Sequence, residues 1–364
     1  MTQRRVMHVV AGGDIGGAER LLVDLARHPD ETEAEHQVAL FASTNALPSY
    51  FHDAGLRVHR RGLAPEAPIA YLRRSFGSAD VGWLAALLSE QAIDVVHTHT
   101  FGSHVLGTRA ACRAGVPQLR TEHHVSHFTD PSCSPFTRWA AARTERFVAV
   151  SEYVRSALAR AAPNLAARTR VVRNGVDASY WAPSPRPLVE RAFSVAIVCR
   201  LTAWKRVELA IDAVALAGVA LVVVGDGEER ARLELRSARR GASVRFVGHQ
   251  ADPRPFVAAA SATLNTSKDE PLGLSVLESL SMGRPVVAFA GGGVPEIIQD
   301  GITGTLIAKA KAPDFAAALS SLRAERGAVE RMGRSGRQFV LEHCSVQRMC
   351  AGYAAEYREL SGRA

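Results

Sequence analysis

Glu270 and Glu278 stand eight positions apart in the run E-P-L-G-L-S-V-L-E, with Gly273 three residues after the first. A strand-like stretch at 262–267 precedes the run, so Glu270 falls on a loop leaving a strand, and Gly273 and Leu274 open a helix. At 3.6 residues per turn, Glu278 then lies about one and a half turns inside that helix. A helix N-terminus presents unsatisfied N–H groups and a positive dipole end, and both attract phosphate. The flanking carboxylates cannot bind that phosphate. They suit hydroxyls instead, such as a sugar nucleotide carries on its sugar and its ribose. Two acids on a solvated helix face is the plainer reading, and other motifs must decide.

Arg200 follows an apolar stretch at 195–199, and Lys205 comes five residues later, near a helix start. Together they suit a diphosphate, Arg with its planar fork and Lys as a point charge. They would neutralise charge on a departing nucleotide. A pair of ordinary surface cations is the alternative, but only four of the 44 basic residues are Lys. Gly12, Gly13, Gly16 and Gly17 lie between a first strand and a helix, where backbone can approach a phosphate. The spacing is not G-x-G-x-x-G, so a general phosphate-facing turn is favoured over a nicotinamide site. Six histidines (His97, His99, His104, His123, His124, His127) crowd one stretch without an acid or Cys at a recognised ligand spacing, so no metal is expected. His123, just past a strand, is placed to meet a substrate hydroxyl. A glycine run at 291–293 precedes Glu296 and suggests another close backbone approach to ligand.

The elements that must hold these residues repeat along the chain. Apolar runs at 6–10, 36–41, 94–97, 118–121 and 147–150 alternate with helix-period segments, the first at 18–26. The pattern restarts with strands at 193–198, 220–224, 243–246, 262–265 and 285–289. Such alternation indicates parallel sheets with crossover helices, whose ligands bind at the carboxyl ends of the strands. The fold class expected is α/β, in two Rossmann-like domains with parallel sheets facing a cleft. The N-terminal domain spans 1–180, a proline-bearing linker 181–191 and the C-terminal domain 192–344. A helix at 345–364 is expected to pack back on the first domain.

At 364 residues two domains are the natural division, and 47% hydrophobic content describes a globular chain. Residues 213–225, the longest apolar run, are too short to span a bilayer. The N-terminus meets an acid before a signal-peptide hydrophobic region forms, and five cysteines lack a C-x-x-C pair. A cytoplasmic protein with reduced thiols is expected. The net charge of +8 is spread out, with no basic block interleaved with aromatics, so no nucleic acid is expected. Y-L-R-R-S-F at 71–76 reads as an exposed helix start; peripheral contact with the inner face of an anionic membrane is its other reading.

These residues, taken in order, resemble the retaining GT-B glycosyltransferases of glycosyltransferase family 4. The motifs are G-G-A-E-R at 16–20, D-V-V-H-T-H at 94–99, T-E-H at 121–123, A-V-S-E at 149–152 and R-N-G-V-D at 173–177. R-L with a following Lys at 200–205, G-D-G at 225–227 and the long stretch 270–304 complete the series. The resemblance implies a nucleotide-diphosphate sugar as donor substrate, a UDP-sugar before GDP-mannose, and no cofactor or metal. It implies a saccharide or lipid-linked acceptor in polysaccharide, lipopolysaccharide or glycolipid assembly. Arg200 and Lys205 look like the family's diphosphate pair, Glu270 like the Glu on the transferred sugar, and Glu278 like the Glu on the ribose. Gly16 and Gly17 resemble the turn facing the donor phosphate, and His123 the histidine beside the reacting sugar. A sugar-nucleotide epimerase of GT-B fold and a transferase for small natural products are the alternatives. Cys199 and Arg206 stand where the family usually has Gly, and Leu272 where an aromatic is common.

Overall fold

A computed structural model describes residues 3–12, 15–41, 46–61, 75–183 and 192–362. The chain divides into two compact units, residues 1–174 with 347–364, and residues 175–346. Both are parallel sheets flanked by helices.

The first unit holds seven strands: β1 (Arg4–Val10), β2 (Ala34–Leu40), β3 (Arg57–Arg60), β4 (Val95–Thr98), β5 (Gln118–Glu122), β6 (Arg146–Ala149) and β7 (Thr169–Val171). Their order is β3-β2-β1-β4-β5-β6-β7, all pairs parallel. The second unit holds β8 (Ser194–Val198), β9 (Ala220–Val224), β10 (Val244–Phe246), β11 (Ala262–Asn265), β12 (Val286–Phe289) and β13 (Gly304–Ile307). These run β10-β9-β8-β11-β12-β13, again parallel. The central strands bury nearly every side chain, as in sheets covered on both faces.

The strand order reverses between β1 and β4 in one sheet and between β8 and β11 in the other. Loops leaving such neighbours diverge and open a crevice at the carboxyl edge. Gly16, Gly17, Arg200, Lys205, Glu270, Gly273, Leu274 and Glu278 sit on those loops or on the helices that follow, whereas His123 follows β5. Three strands, β3, β7 and β13, escaped the sequence reading. All three lie at a sheet edge, and R-V-H-R, T-R-V and G-T-L-I carry no long apolar run because an edge strand is only half covered.

The first unit ends at Asn174 rather than at 180, because the next residues are built into the second. The Val176 N–H donates to the Cys344 carbonyl at 3.0 Å, and Trp181 packs with Val276, Leu277 and Leu280. Of the linker at 181–191, residues 184–191 lie outside the described residues, as do 71–74 of the basic segment. The helix Val346–Ser361 belongs mostly to the first unit. Its Tyr353 and Tyr357 are fully buried there, and Arg146 on β6 pairs with its Glu356 at 2.9 Å. Among the described residues no helix is long and apolar enough to cross a membrane. The five cysteines form no disulfide.

Candidate functional site

In the second unit, β8 and β11 are hydrogen-bonded neighbours, with Val195 opposite Ala262. The loops that leave them therefore emerge side by side, though 65 positions separate Lys205 from Glu270. The Lys205 ammonium donates to Glu270 Oε2 at 2.6 Å, and both side chains are largely buried, 13% and 10% exposed. Lys205 Nζ also lies 4.0 Å from the centre of the Trp204 ring, a cation–π contact. The Thr266 hydroxyl donates to the Lys205 carbonyl at 2.8 Å, tying the two loops at the backbone. Trp204 had no role in the sequence reading; a lone aromatic beside the motif Lys was its only signal.

Two glycine segments shape these loops. Gly225 has φ +136, and a Cβ there would lie 1.9 Å from the Cys199 carbonyl oxygen. G-D-G thus lets the β9 loop close on the β8 loop, where Leu201 N–H donates to the Asp226 carbonyl at 2.9 Å. Arg200 between them is exposed. Gly292, at φ +64, passes so near Glu270 that a Cβ would lie 2.1 Å from the Glu270 carbonyl oxygen. The Gly293 N–H donates to that same oxygen at 2.8 Å. The 291–293 run thus allows a close approach to the chain's own Glu270 loop. Glu296 ends a single 3-10 turn, Val294–Glu296, instead of opening a longer helix.

Gly273, at φ +105, caps the helix Leu274–Ser281 at its N-terminus, and its carbonyl accepts from Val276 and Leu277. Leu274 is half-buried, and Glu278 is buried at 5% exposure. Cys199 is a neutral thiol: burial, the larger effect, and the Glu270 charge push it up to about 12 against the pull of Lys205. Arg206 adopts φ +54, a left-handed conformation that explains why glycine suits this position.

In the first unit, Gly16 caps the helix Gly17–Arg27. Its N–H donates to the buried Glu19 carboxylate at 2.9 Å, so the Glu of G-G-A-E-R caps its own helix. Gly17 is exposed, and Gly13 lies outside the described residues. His123 follows β5, separated in the sheet from β1 and its glycine turn by β4. It is half-buried, and its Nε2 has no hydrogen-bond partner among the described residues. Burial, with the nearby Arg120 charge, lowers its pKa to about 3, so the ring is neutral.

Two further groups surround His123. On β5, Arg120 and Glu122 lie two apart and face the same way. Their pair, at 2.9 Å, is almost fully buried, and His127 joins Glu122 at 3.2 Å. Burial would raise the Glu122 carboxyl, but Arg120 and His127 outweigh it and hold it below the usual carboxylate range. The Arg120 guanidinium also donates to the Thr100 carbonyl, fixing the β4 loop. The alternation in R-T-E-H was the available signal for this network.

The second group is histidine. His8 on β1 pairs across the sheet with His97 on β4, and His99 lies just beyond, its ring centre 4.1 Å from that of His97. Donor nitrogens of His8, His97 and His99 lie within 4.8 Å of one another. Both nitrogens of His8 are already bonded, to His99 and His36, and both of His97, to Tyr357 and Thr121. Ligation of a metal would break that network, which reads as hydrogen bonding in its own right.

Residues 15–180 match the model of Glycosyltransferase Family 4, and residues 184–339 that of Glycosyl transferases group 1. The chain is 28% identical to a D-inositol 3-phosphate glycosyltransferase of Kribbella flavida, covering 89% of this chain and 86% of the relative. It is 36% identical over 146 residues to the lipopolysaccharide core biosynthesis glycosyltransferase LpsE of Rhizobium meliloti, covering 39% of this chain and 43% of that one. Among solved structures, Anabaena HepE in complex with UDP and glucose superposes with a TM-score of 0.84 at 23% identity. That match covers 97% of this chain and 98% of HepE, and establishes the fold as GT-B.

Proposed function

The chain belongs to the group 1 glycosyltransferases of GT-B fold, and from that premise we propose that it is a retaining enzyme using a nucleotide-diphosphate sugar. The group transferred is a hexosyl or N-acetylhexosaminyl unit, from a UDP-sugar before GDP-mannose. The acceptor is a hydroxyl of a saccharide or lipid-linked saccharide in cell-surface polysaccharide, lipopolysaccharide or glycolipid assembly. The bound UDP of HepE supports the donor class, and the name of LpsE supports the acceptor class.

The observation that carries this reading is the Lys205–Glu270 pair at the β8–β11 switch point. It sets a cation for the diphosphate against a carboxylate for sugar hydroxyls, on a buried floor where charge interactions are strong. Arg200, with the backbone N–H groups at Gly273 and Leu274, adds to the phosphate grip, and Glu278 takes the ribose hydroxyls. On the first unit, Gly16 and Gly17 form the turn facing the donor phosphate, and His123 lies beside the reacting sugar.

The acceptor oxygen bonds to the anomeric carbon on the face from which the diphosphate departs. The bond from that carbon to the phosphate oxygen breaks, and the acceptor proton passes to the departing phosphate. No side-chain nucleophile is needed, and no metal, because Arg200, Lys205 and the helix terminus neutralise the leaving charge. A thermal-shift screen of nucleotide sugars tests the donor. A ligand at a hundred times its Kd adds about 2.7 kcal/mol of apparent stability. Transfer from the stabilising donor should survive exhaustive chelation. Loss of activity that returns with added divalent metal would overturn the metal-free reading.

A further inference from the structure

The histidines of the first unit form a directed chain. The Thr32 hydroxyl lies 3.0 Å from the His28 carbonyl oxygen. A carbonyl only accepts, so the hydroxyl donates there and takes the N–H of His36 Nε2, also at 3.0 Å. Neutral His36 then offers Nδ1 as an acceptor, 2.8 Å from His8 Nε2. His8 in turn carries its proton on Nε2 and accepts at Nδ1 from His99 Nε2, at 3.0 Å. The three rings are neutral because they are buried, and burial lowers the pKa of each.

The chain ends on His99 Nδ1, a lone pair with no partner among the described residues on a side chain only 5% exposed. The His123 ring centre is 5.9 Å away, and its Nε2 is unpartnered too. A buried polar atom without a partner is costly, and two on adjacent rings call for a common explanation. His104 Nδ1 is also unpartnered, but that ring lies edge-on to the apolar Phe147 ring.

We propose that His99 Nδ1 and His123 Nε2 form a binding site for a neutral hydroxyl of the saccharide acceptor, with His99 accepting the hydroxyl hydrogen. Thr32, His36 and His8 are positioning residues that fix the tautomer of His99. The ligand class rests on the glycosyl-transfer reading; the tautomer chain does not. Neutral imidazoles favour a hydroxyl over a carboxylate or phosphate, which would call for cations.

Nitrogen-15 spectra of the intact histidine-labelled protein at pH 7, assigned with His99→Gln, read the tautomer directly. His99 Nδ1 should be unprotonated and Nε2 protonated, with the two forms mixing in His36→Phe. A protonated Nδ1 overturns the proposal. In transfer assays His99→Gln keeps a donor toward His8 but loses the group at Nδ1, and the acceptor KM should rise about three- to tenfold, the worth of one neutral hydrogen bond. His99→Asn, with an oxygen near the Nδ1 position, should lose less. Wild-type kinetics in His99→Gln overturn the hydroxyl site and leave the enzyme reading standing. A wild-type protein that transfers from no nucleotide sugar overturns the enzyme reading, and the spectra then decide the lone pair alone.

Discussion

The two units differ in what their strand ends present. In residues 175–346 the candidate side chains are formally charged, and all four lysines of the chain fall there. In the other unit the strand ends of β1 and β4 carry neutral imidazoles, and eleven of the 13 histidines belong to it. His249 and His343, the two in the second unit, are exposed. Charge suits a diphosphate that gains negative charge as it departs, whereas neutral acceptors and donors suit hydroxyls that stay neutral until they react. One fold, used twice, supports two chemistries because its carboxyl-edge loops are independent of its sheets.

Removing the charge from the second unit should have the largest effect. Lys205→Ala should cut turnover with saturating donor by about a hundredfold or more. It also strands the largely buried Glu270 carboxylate, at about 3–5 kcal/mol in urea unfolding. Rates within a few-fold of wild type would leave Glu270 without its partner's catalytic role and erase the contrast between units.

Acid should act on the other unit. His36 and His123 titrate at about 3 when folded, against 6.5 unfolded, chiefly through burial. Above pH 6.5 neither state takes a proton; as pH falls from 6.5 toward 3, only the unfolded chain does, so stability declines across that window. At pH 5 the loss is about 2 kcal/mol for each of these two residues. Hydrogen exchange at pH 7.5 and pH 5 should show protection falling in residues 3–174 more than in 192–346. Equal losses in both would mean the histidine network contributes no special acid sensitivity.

Within the charged unit, the two carboxylates should separate. Glu278→Gln should weaken calorimetric binding of the bare nucleotide diphosphate by about 1–3 kcal/mol. Glu270→Gln should leave that binding nearly intact while depressing transfer. A loss confined to Glu270→Gln would exchange the two roles. The smallest effect belongs to Arg206→Gly. It relieves about 1–2 kcal/mol of left-handed strain but frees the unfolded chain and removes an Arg beside the Phe289 ring. Urea unfolding should shift by less than about 1 kcal/mol in either direction.

Much of this was legible before any coordinates. Apolar runs placed ten of the strands and the 3.6-residue period the tail helix, because a strand covered on both faces or an amphipathic helix writes its burial into neighbouring residues. The glycines of 291–293 announced a close approach, and the scarcity of Lys drew the eye to Lys205. What the sequence could not state was which distant segments meet. Lys205 reaches Glu270 only because β11 crosses over to lie beside β8, and Gly292 closes on the Glu270 loop for a similar reason. The tautomer of His99 is set by Thr32, His36 and His8, residues on three other elements, and by the burial that keeps the rings neutral. Periodicity is local, whereas strand order, burial and hydrogen-bond direction are properties of the assembled sheet, so the sequence determined the parts and their chemistry and tertiary structure alone decided their partners.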